Sequence, residues 1–173
     1  KKPIHYIGLD VHADSITIAI AEEGRDGEVR LYGKIANDLH VIDKVFAKLG
    51  HPHVELRVCY EAGPCGFVLA RHFQRKKIEC VVIAPSLIPK GSGDRVKTDR
   101  RDALALARLH RAGELTAVHI PDSRDEAVRD LCRARTDAVR DRRACRFQLK
   151  AFLLRNGYRY KEGTSWTDKH LNY

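Results

Sequence analysis

The order in which β-rich and helix-rich stretches follow one another constrains this chain most. His5 to Val11, Ser15 to Ala21 and Val29 to Ile35 are rich in β-branched residues and read as strands. The turns between them are too short for a crossover, so the three predict an antiparallel meander. The apolar period then switches. Asn37 or Asp38 caps a helix that carries Leu39, Ile42, Val45, Phe46 and Leu49 at helical spacing and ends at Gly50. Val54 to Tyr60 is a fourth strand. The Ala62-Gly63-Pro64 turn leads into a helix with Phe67, Val68, Ala70, Arg71 and Phe73. Ile78 to Ala84 is an almost unbroken apolar run, which predicts a fifth strand at the sheet centre. After a loop from Pro85 to Lys97, Thr98 caps a helix that runs to about Ala112. The order βββ-α-β-α-β-α defines an α/β protein with a mixed sheet covered by helices.

Beyond Pro121 the character changes. Asp122 or Ser123 caps a helix extending to about Arg155, with Leu131, Ala138, Cys145 and Phe152 seven residues apart. Val128 and Leu149 occupy the companion row, which Arg135 and Arg142 interrupt. The result is a narrow seam of coiled-coil type. The rest of its surface is basic. That surface reads either as a solvated face laced with ion pairs, such as Arg133 with Asp137 and Asp137 with Arg140, or as one that pairs with a partner and touches phosphates. The tail from Asn156 mixes cations with Tyr158, Tyr160 and Trp166, and aromatic faces beside cations can stack on bases. We therefore expect three parts: residues 3–120 as one α/β domain, 121–156 as a long basic helix, and 157–173 as a linker towards an absent C-terminal domain.

Four carboxylates fall at element boundaries in the first part. Asp10 ends the run Ile7-Gly8-Leu9-Asp10, and Glu61 ends the fourth strand. Asp99 and Asp102 open the helix after the fifth strand, three apart and so on one face. Taken singly, each has an ordinary explanation as a turn cap, a solvated strand end or a favourable charge on a helix dipole. Taken together, one fold would converge them. Converging carboxylates repel unless a cation holds them, and Mg²⁺ takes oxygen ligands from a few such groups. Two ions about 4 Å apart can drive phosphodiester chemistry.

The charge points the same way. The chain carries 32 Lys plus Arg against 23 Asp plus Glu, net +9, which favours a polyanionic partner. Lys90, Arg95 and Lys97 lie in the loop before Asp99 and are placed to contact a phosphate. Arg100 and Arg101, and Arg135, Arg142 and Arg143 of the long helix, are further candidates for nucleic-acid contact. Gly91 to Thr98 superficially resembles a phosphate loop, but Val96 stands where a second glycine is needed. His51-Pro52-His53 reads as a surface turn, and His12 is given no role. The five cysteines lack any C-x-x-C pair, which argues against a zinc site or disulfide framework and for free thiols in a reducing cytosol. No apolar run approaches the roughly 18 residues of a membrane span.

Tyr6-Ile7-Gly8-Leu9-Asp10-Val11-His12, Tyr60-Glu61-Ala62-Gly63 and Lys97-Thr98-Asp99-Arg100-Arg101-Asp102-Ala103 together resemble the DEDD transposases of bacterial insertion sequences, the insertion-sequence one-ten family related to the Piv DNA invertase. The resemblance implies a ribonuclease H-like (RuvC-like) catalytic domain in which Asp10, Glu61, Asp99 and Asp102 bind Mg²⁺ or Mn²⁺. It implies transposition by DNA recombination in the bacterial cytoplasm, at the nucleoid. It also implies guidance by a structured bridge RNA and assembly as dimers or higher oligomers. The family uses a nucleophilic serine in a separate C-terminal domain. None of Ser15, Ser86, Ser92, Ser123 or Ser165 matches it, so the chain reads as the N-terminal part of a longer recombinase.

Two other readings remain open at this point: a stand-alone RuvC-like endonuclease, and a non-catalytic nucleic-acid-binding module. An actin-like ATPase also begins with a Gly-x-Asp strand, but this chain has no second sheet domain or phosphate loops to match one.

Overall fold

The computed structural model describes residues 2–50, 53–89 and 98–172. Strand β1 (Ile4–Val11) occupies the middle of a five-stranded sheet. It pairs antiparallel with β2 (Ser15–Glu22), which pairs antiparallel with β3 (Val29–Ala36). On its other side β1 pairs parallel with β4 (Glu55–Glu61), and β4 with β5 (Glu79–Ile83). The order β3-β2-β1-β4-β5 is compatible with a ribonuclease H-like sheet. Helix α1 (Leu39–Leu49) joins β3 to β4, and α2 (Val68–Arg75) joins β4 to β5. Helix α3 (Asp99–Ala112) follows β5 and a short 3₁₀ turn at Pro85–Leu87.

Strand alternation divides the interior into two faces. Ile7 and Leu9 of β1, Ile16, Ile18 and Ile20 of β2, and Val58 and Tyr60 of β4 point to one side. There they pack with Ile42 and Phe46 of α1 and Leu69 and Phe73 of α2. The two helices are also tied by polar contacts. The buried His72 meets Asp43 Oδ1 at 2.7 Å through Nε2, and Lys76 Nζ meets Asp43 Oδ2 at 2.9 Å.

The other face is built from small residues. Ala19 and Ala21 of β2 pack with Ala103 and Ala107 of α3, while Cys59 and Ile83 pack with Leu106. Gly8 shows how close the helix lies. A Cβ placed there would sit 2.4 Å from the Ala103 carbonyl oxygen and 2.5 Å from the Ala107 nitrogen. Only glycine fits beneath a helix backbone at that distance. Burial pushes the Cys59 thiol well above its ordinary range and Cys80 up to about 12, so neither is a ready thiolate.

One expectation is overturned. The apolar run of β5 lies at the sheet edge, not at its centre. It is nonetheless covered. Val118 donates its N–H to the Val82 carbonyl at 2.8 Å, Ala84 donates to Thr116 at 3.2 Å, and Ile83 bridges antiparallel to Ala117. The segment around Thr116–Val118 thus supplies the partner that a bare edge would lack.

The chain divides into two compact units, Lys1–Ile120 and Pro121–Tyr173. The second contains α4 (Ser123–Arg155), capped by Asp122, whose side chain accepts from the Asp125 N–H. None of the residues of α4 is buried. Arg140 pairs with Asp137 at 2.8 Å as expected, whereas Arg133 lies 3.5 Å from Asp130 rather than pairing with Asp137. The tail read as a linker carries a four-residue helix, α5 (Asp168–Leu171). No described helix is long and apolar enough to cross a membrane.

Candidate metal centre

The β1–β4 register brings together the strand ends that carry the first two acids. Leu9 pairs with Tyr60, and one step further on both strands come Asp10 and Glu61. Leu9 and Tyr60 face α1 and α2, so alternation turns Asp10 and Glu61 to the α3 side. On the antiparallel side Asp10 pairs with Thr17. The Thr17 hydroxyl is buried and has no hydrogen-bond partner among the described residues.

Helix α3 brings the other two. Thr98 caps it, its Oγ1 accepting from the Arg101 N–H at 3.3 Å, which places Asp99 and Asp102 in the first turn. The close seat over Gly8 carries this turn to the Asp10 end of the sheet.

Two residues not anticipated from the sequence join the acids. His12 Nε2 lies 3.1 Å from Asp10 Oδ2 and 3.6 Å from Asp99 Oδ1. Lys34, on β3, places Nζ 3.0 Å from Asp99 Oδ2. One ligand atom each from Asp10, His12 and Asp99 lies within 4.8 Å of the others, a spacing suited to a shared cation. The structure thus unites Asp10 with Asp99 and adds His12. Glu61 and Asp102 lie outside that three-residue group. The signal for His12 was its place two residues after Asp10. A tight turn fixes it, its N–H donating to the Ser15 carbonyl while its own carbonyl accepts from Asn37 Nδ2, both at 2.8 Å. Lys34 had no signal, because its partner lies 65 residues away.

The electrostatics suit a cation. Burial raises the Asp10 pKa, and the charges of Asp99 and Asp102 add to that rise against the lowering effect of His12. Asp99 is held below its ordinary range, chiefly by its hydrogen bond from Lys34. The donor set of two carboxylates and an imidazole, with an unpartnered hydroxyl opposite Asp10, fits a divalent ion.

Of the basic candidates, Arg100 and Arg101 are exposed in the first turn of α3, and Arg135, Arg142 and Arg143 are exposed on α4. Lys90, Arg95 and Lys97 lie outside the described residues, as do His51 and Pro52.

A mixed sheet whose middle strand and covering helix bring carboxylates to one end defines a class: an α/β domain with an acid cluster, compatible with a ribonuclease H-like architecture. Residues 7–156 match a family model described as a transposase, that of the DEDD group of IS110. The chain belongs to that family, the DEDD transposases of IS110-type insertion sequences. It is 49% identical over 172 residues to y4qE of Sinorhizobium fredii, which its name describes as a transposase; the match spans 97% of this chain and 43% of the relative. It is 35% identical over 170 residues to the transposase for insertion sequence element IS1533 of Leptospira borgpetersenii, spanning 97% of this chain and 49% of that protein. The chain therefore spans less than half the length of each of these curated relatives.

Proposed function

We propose that this chain supplies the metal-binding half of a transposase that cuts and rejoins DNA to move an insertion sequence. The convergence of Asp10 and Asp99 on one cation-sized space carries the reading. In it Asp10, Glu61, Asp99 and Asp102 hold Mg²⁺ or Mn²⁺, with His12 as an additional ligand. The bound ion supplies Lewis acidity at phosphoryl oxygens and makes an attacking oxygen more nucleophilic. The chain's own residues do the positioning. In this reading Asp10 and Glu61 act from the ends of β1 and β4, Asp99 and Asp102 from the first turn of α3, and Lys34 neutralises Asp99 when no ion is bound. Exposed Arg100 and Arg101 sit next to the acids and supply charge for a phosphate backbone.

Four finer elements belong to the same reading. A C-terminal domain carrying a nucleophilic serine completes the activity, and the relatives' greater length leaves room for one. A structured bridge RNA guides target choice, and the basic character of the chain, net +9, suits it. The protein works as a dimer or higher oligomer through the apolar row of α4. It acts in the bacterial cytoplasm, at the nucleoid.

Calorimetric titration of Mn²⁺ and Mg²⁺ into the chain, beside Asp10→Ala and Asp99→Ala, tests the centre. Binding that disappears in both variants supports it. Binding that survives in both, or fails in the parent chain, sinks it and leaves a nucleic-acid-binding module whose acids are structural.

A further inference from the structure

Within the second unit, two aromatic rings and four cations surround a cavity of about 320 Å³. The cations are Arg142, Arg143, Arg146 and Lys150, and the rings are Phe147 and Trp166. Arg142, Arg146 and Lys150 are four residues apart and form one row along α4, about 6 Å between neighbours. The lining contains no carboxylate among the described residues, so these charges lack the acids that neutralise Arg140 nearby.

The rings are held in place. Trp166 adopts a left-handed backbone with φ 72°, a conformation that costs a bulky residue free energy and persists only where neighbours enforce it. Here its N–H donates to His170 Nδ1 at 2.8 Å, and its indole meets the His170 ring edge-on at 5.2 Å. The Arg146 guanidinium lies 5.0 Å from the indole centroid, and that of Arg143 lies 5.6 Å from the Phe147 centroid. Lys150 Nζ donates to Ser165 Oγ at 3.2 Å, which ties the tail to the helix beside the cavity. Phe147 nevertheless remains 61% exposed, its ring open to a ligand.

We propose that this pocket binds an unstacked nucleotide of a single strand. The base stacks on Phe147 and Trp166, and its flanking phosphates lie against Arg142 and Lys150. The volume of about 320 Å³ falls within the roughly 300–1,000 Å³ of small-ligand sites, and a duplex keeps its bases stacked inside, where the rings do not reach them. Ring faces and phosphate cations engage groups common to DNA and RNA. The site rests on the polynucleotide partner proposed above and needs no metal.

Trp166 is the only tryptophan in the chain, so its emission reports this pocket alone. The test titrates a short oligothymidylate, the matching oligouridylate and a duplex of equal length, following both tryptophan emission and the anisotropy of a labelled strand. Both single strands should quench Trp166, and the duplex should not. Phe147→Ala, a change at an exposed position, should weaken single-strand binding roughly tenfold, within the range of one lost stacking contact. Arg142→Gln should lower the slope of log affinity against log salt by about 0.7. Quenching by one sugar alone supports the pocket and restricts its occupant to that strand. Equal quenching by the duplex overturns it. Anisotropy binding without quenching overturns the pocket but keeps the polynucleotide partner, whereas no binding by either readout removes both.

Discussion

Lys34 Nζ stands 3.0 Å from Asp99 Oδ2, so an ammonium on β3 reaches the first residue of α3 across the α3-facing side of the sheet. It holds a carboxylate oxygen that a divalent ion would otherwise claim. Replacing it removes a competitor. Lys34→Met should tighten Mn²⁺ binding about two- to fivefold, the scale of one partly exposed ion pair. Calorimetry reads this directly, and weaker binding in the variant would mean that Lys34 supports the site.

His12 offers nitrogen where the other ligands offer oxygen. Imidazole suits borderline ions, while Mg²⁺ prefers oxygen donors. His12→Ala should weaken Mn²⁺ about tenfold and leave Mg²⁺ almost unchanged. Equal losses for both ions would assign His12 a structural part in the β1–β2 turn.

The contact over Gly8 leaves no room for a methyl group. Gly8→Ala should destabilise the fold by roughly 1–3 kcal/mol, the scale of an overpacked core. It should also lower metal affinity by shifting Asp99 and Asp102 away from Asp10. A thermal melt together with a metal titration checks both, and unchanged metal binding in the folded variant would refute the coupling.

His110 reports on the far end of the same helix. Burial, assisted by Arg57, depresses its pKa from 6.5 to about 4, and its ring meets Tyr6 edge-on at 5.4 Å. The unfolded chain therefore binds the proton more readily than the native one between these values. Stability contributed by neutral His110 is complete above pH 6.5 and declines as pH falls towards 4. Melting temperatures of the parent and His110→Phe across this interval should converge or cross on acidification. Parallel curves would show that His110 carries no such linkage.

Helix α4 leaves Leu131 71% and Phe152 55% exposed, on a row with period seven. If that row pairs with a second copy, Leu131→Asp with Phe152→Asp should reduce the mass measured by light scattering. An unchanged mass would exclude these residues from pairing.

Much of the first unit was legible because its signals are local. Asp38, Thr98 and Asp122 each cap the helix that follows, as short polar residues before an apolar period should. A glycine inside the first strand marks a close backbone approach at Gly8, and the helix lies there; that Ala19 and Ala103 share its face was not legible, since only the docked helix gives those residues a common purpose. For β5, an apolar run shows that a strand is covered without showing by what. The covering segment around Thr116–Val118 does carry a short strand signal, with Thr116, Val118 and Ile120 at alternate positions, but it is brief and lies just after a helix. In the candidate site, Asp10 and Asp99 could be named because each sits at an element boundary. Lys34 lies in mid-strand like any solvated lysine, and the pairing that matters spans 65 residues.

The small-residue seat of α3 also couples the site to local unfolding. Alanines bury little apolar surface, so this helix is bound to the sheet by closeness of fit more than by area. Any opening that lifts it from Gly8 carries Asp99 and Asp102 away from Asp10 together. An ion that binds only the closed arrangement then acts as a latch. Such an ion should slow amide exchange along Ala103–Ala107 by a factor that grows as one plus its concentration over its Kd, so that the helix's own protection yields the affinity.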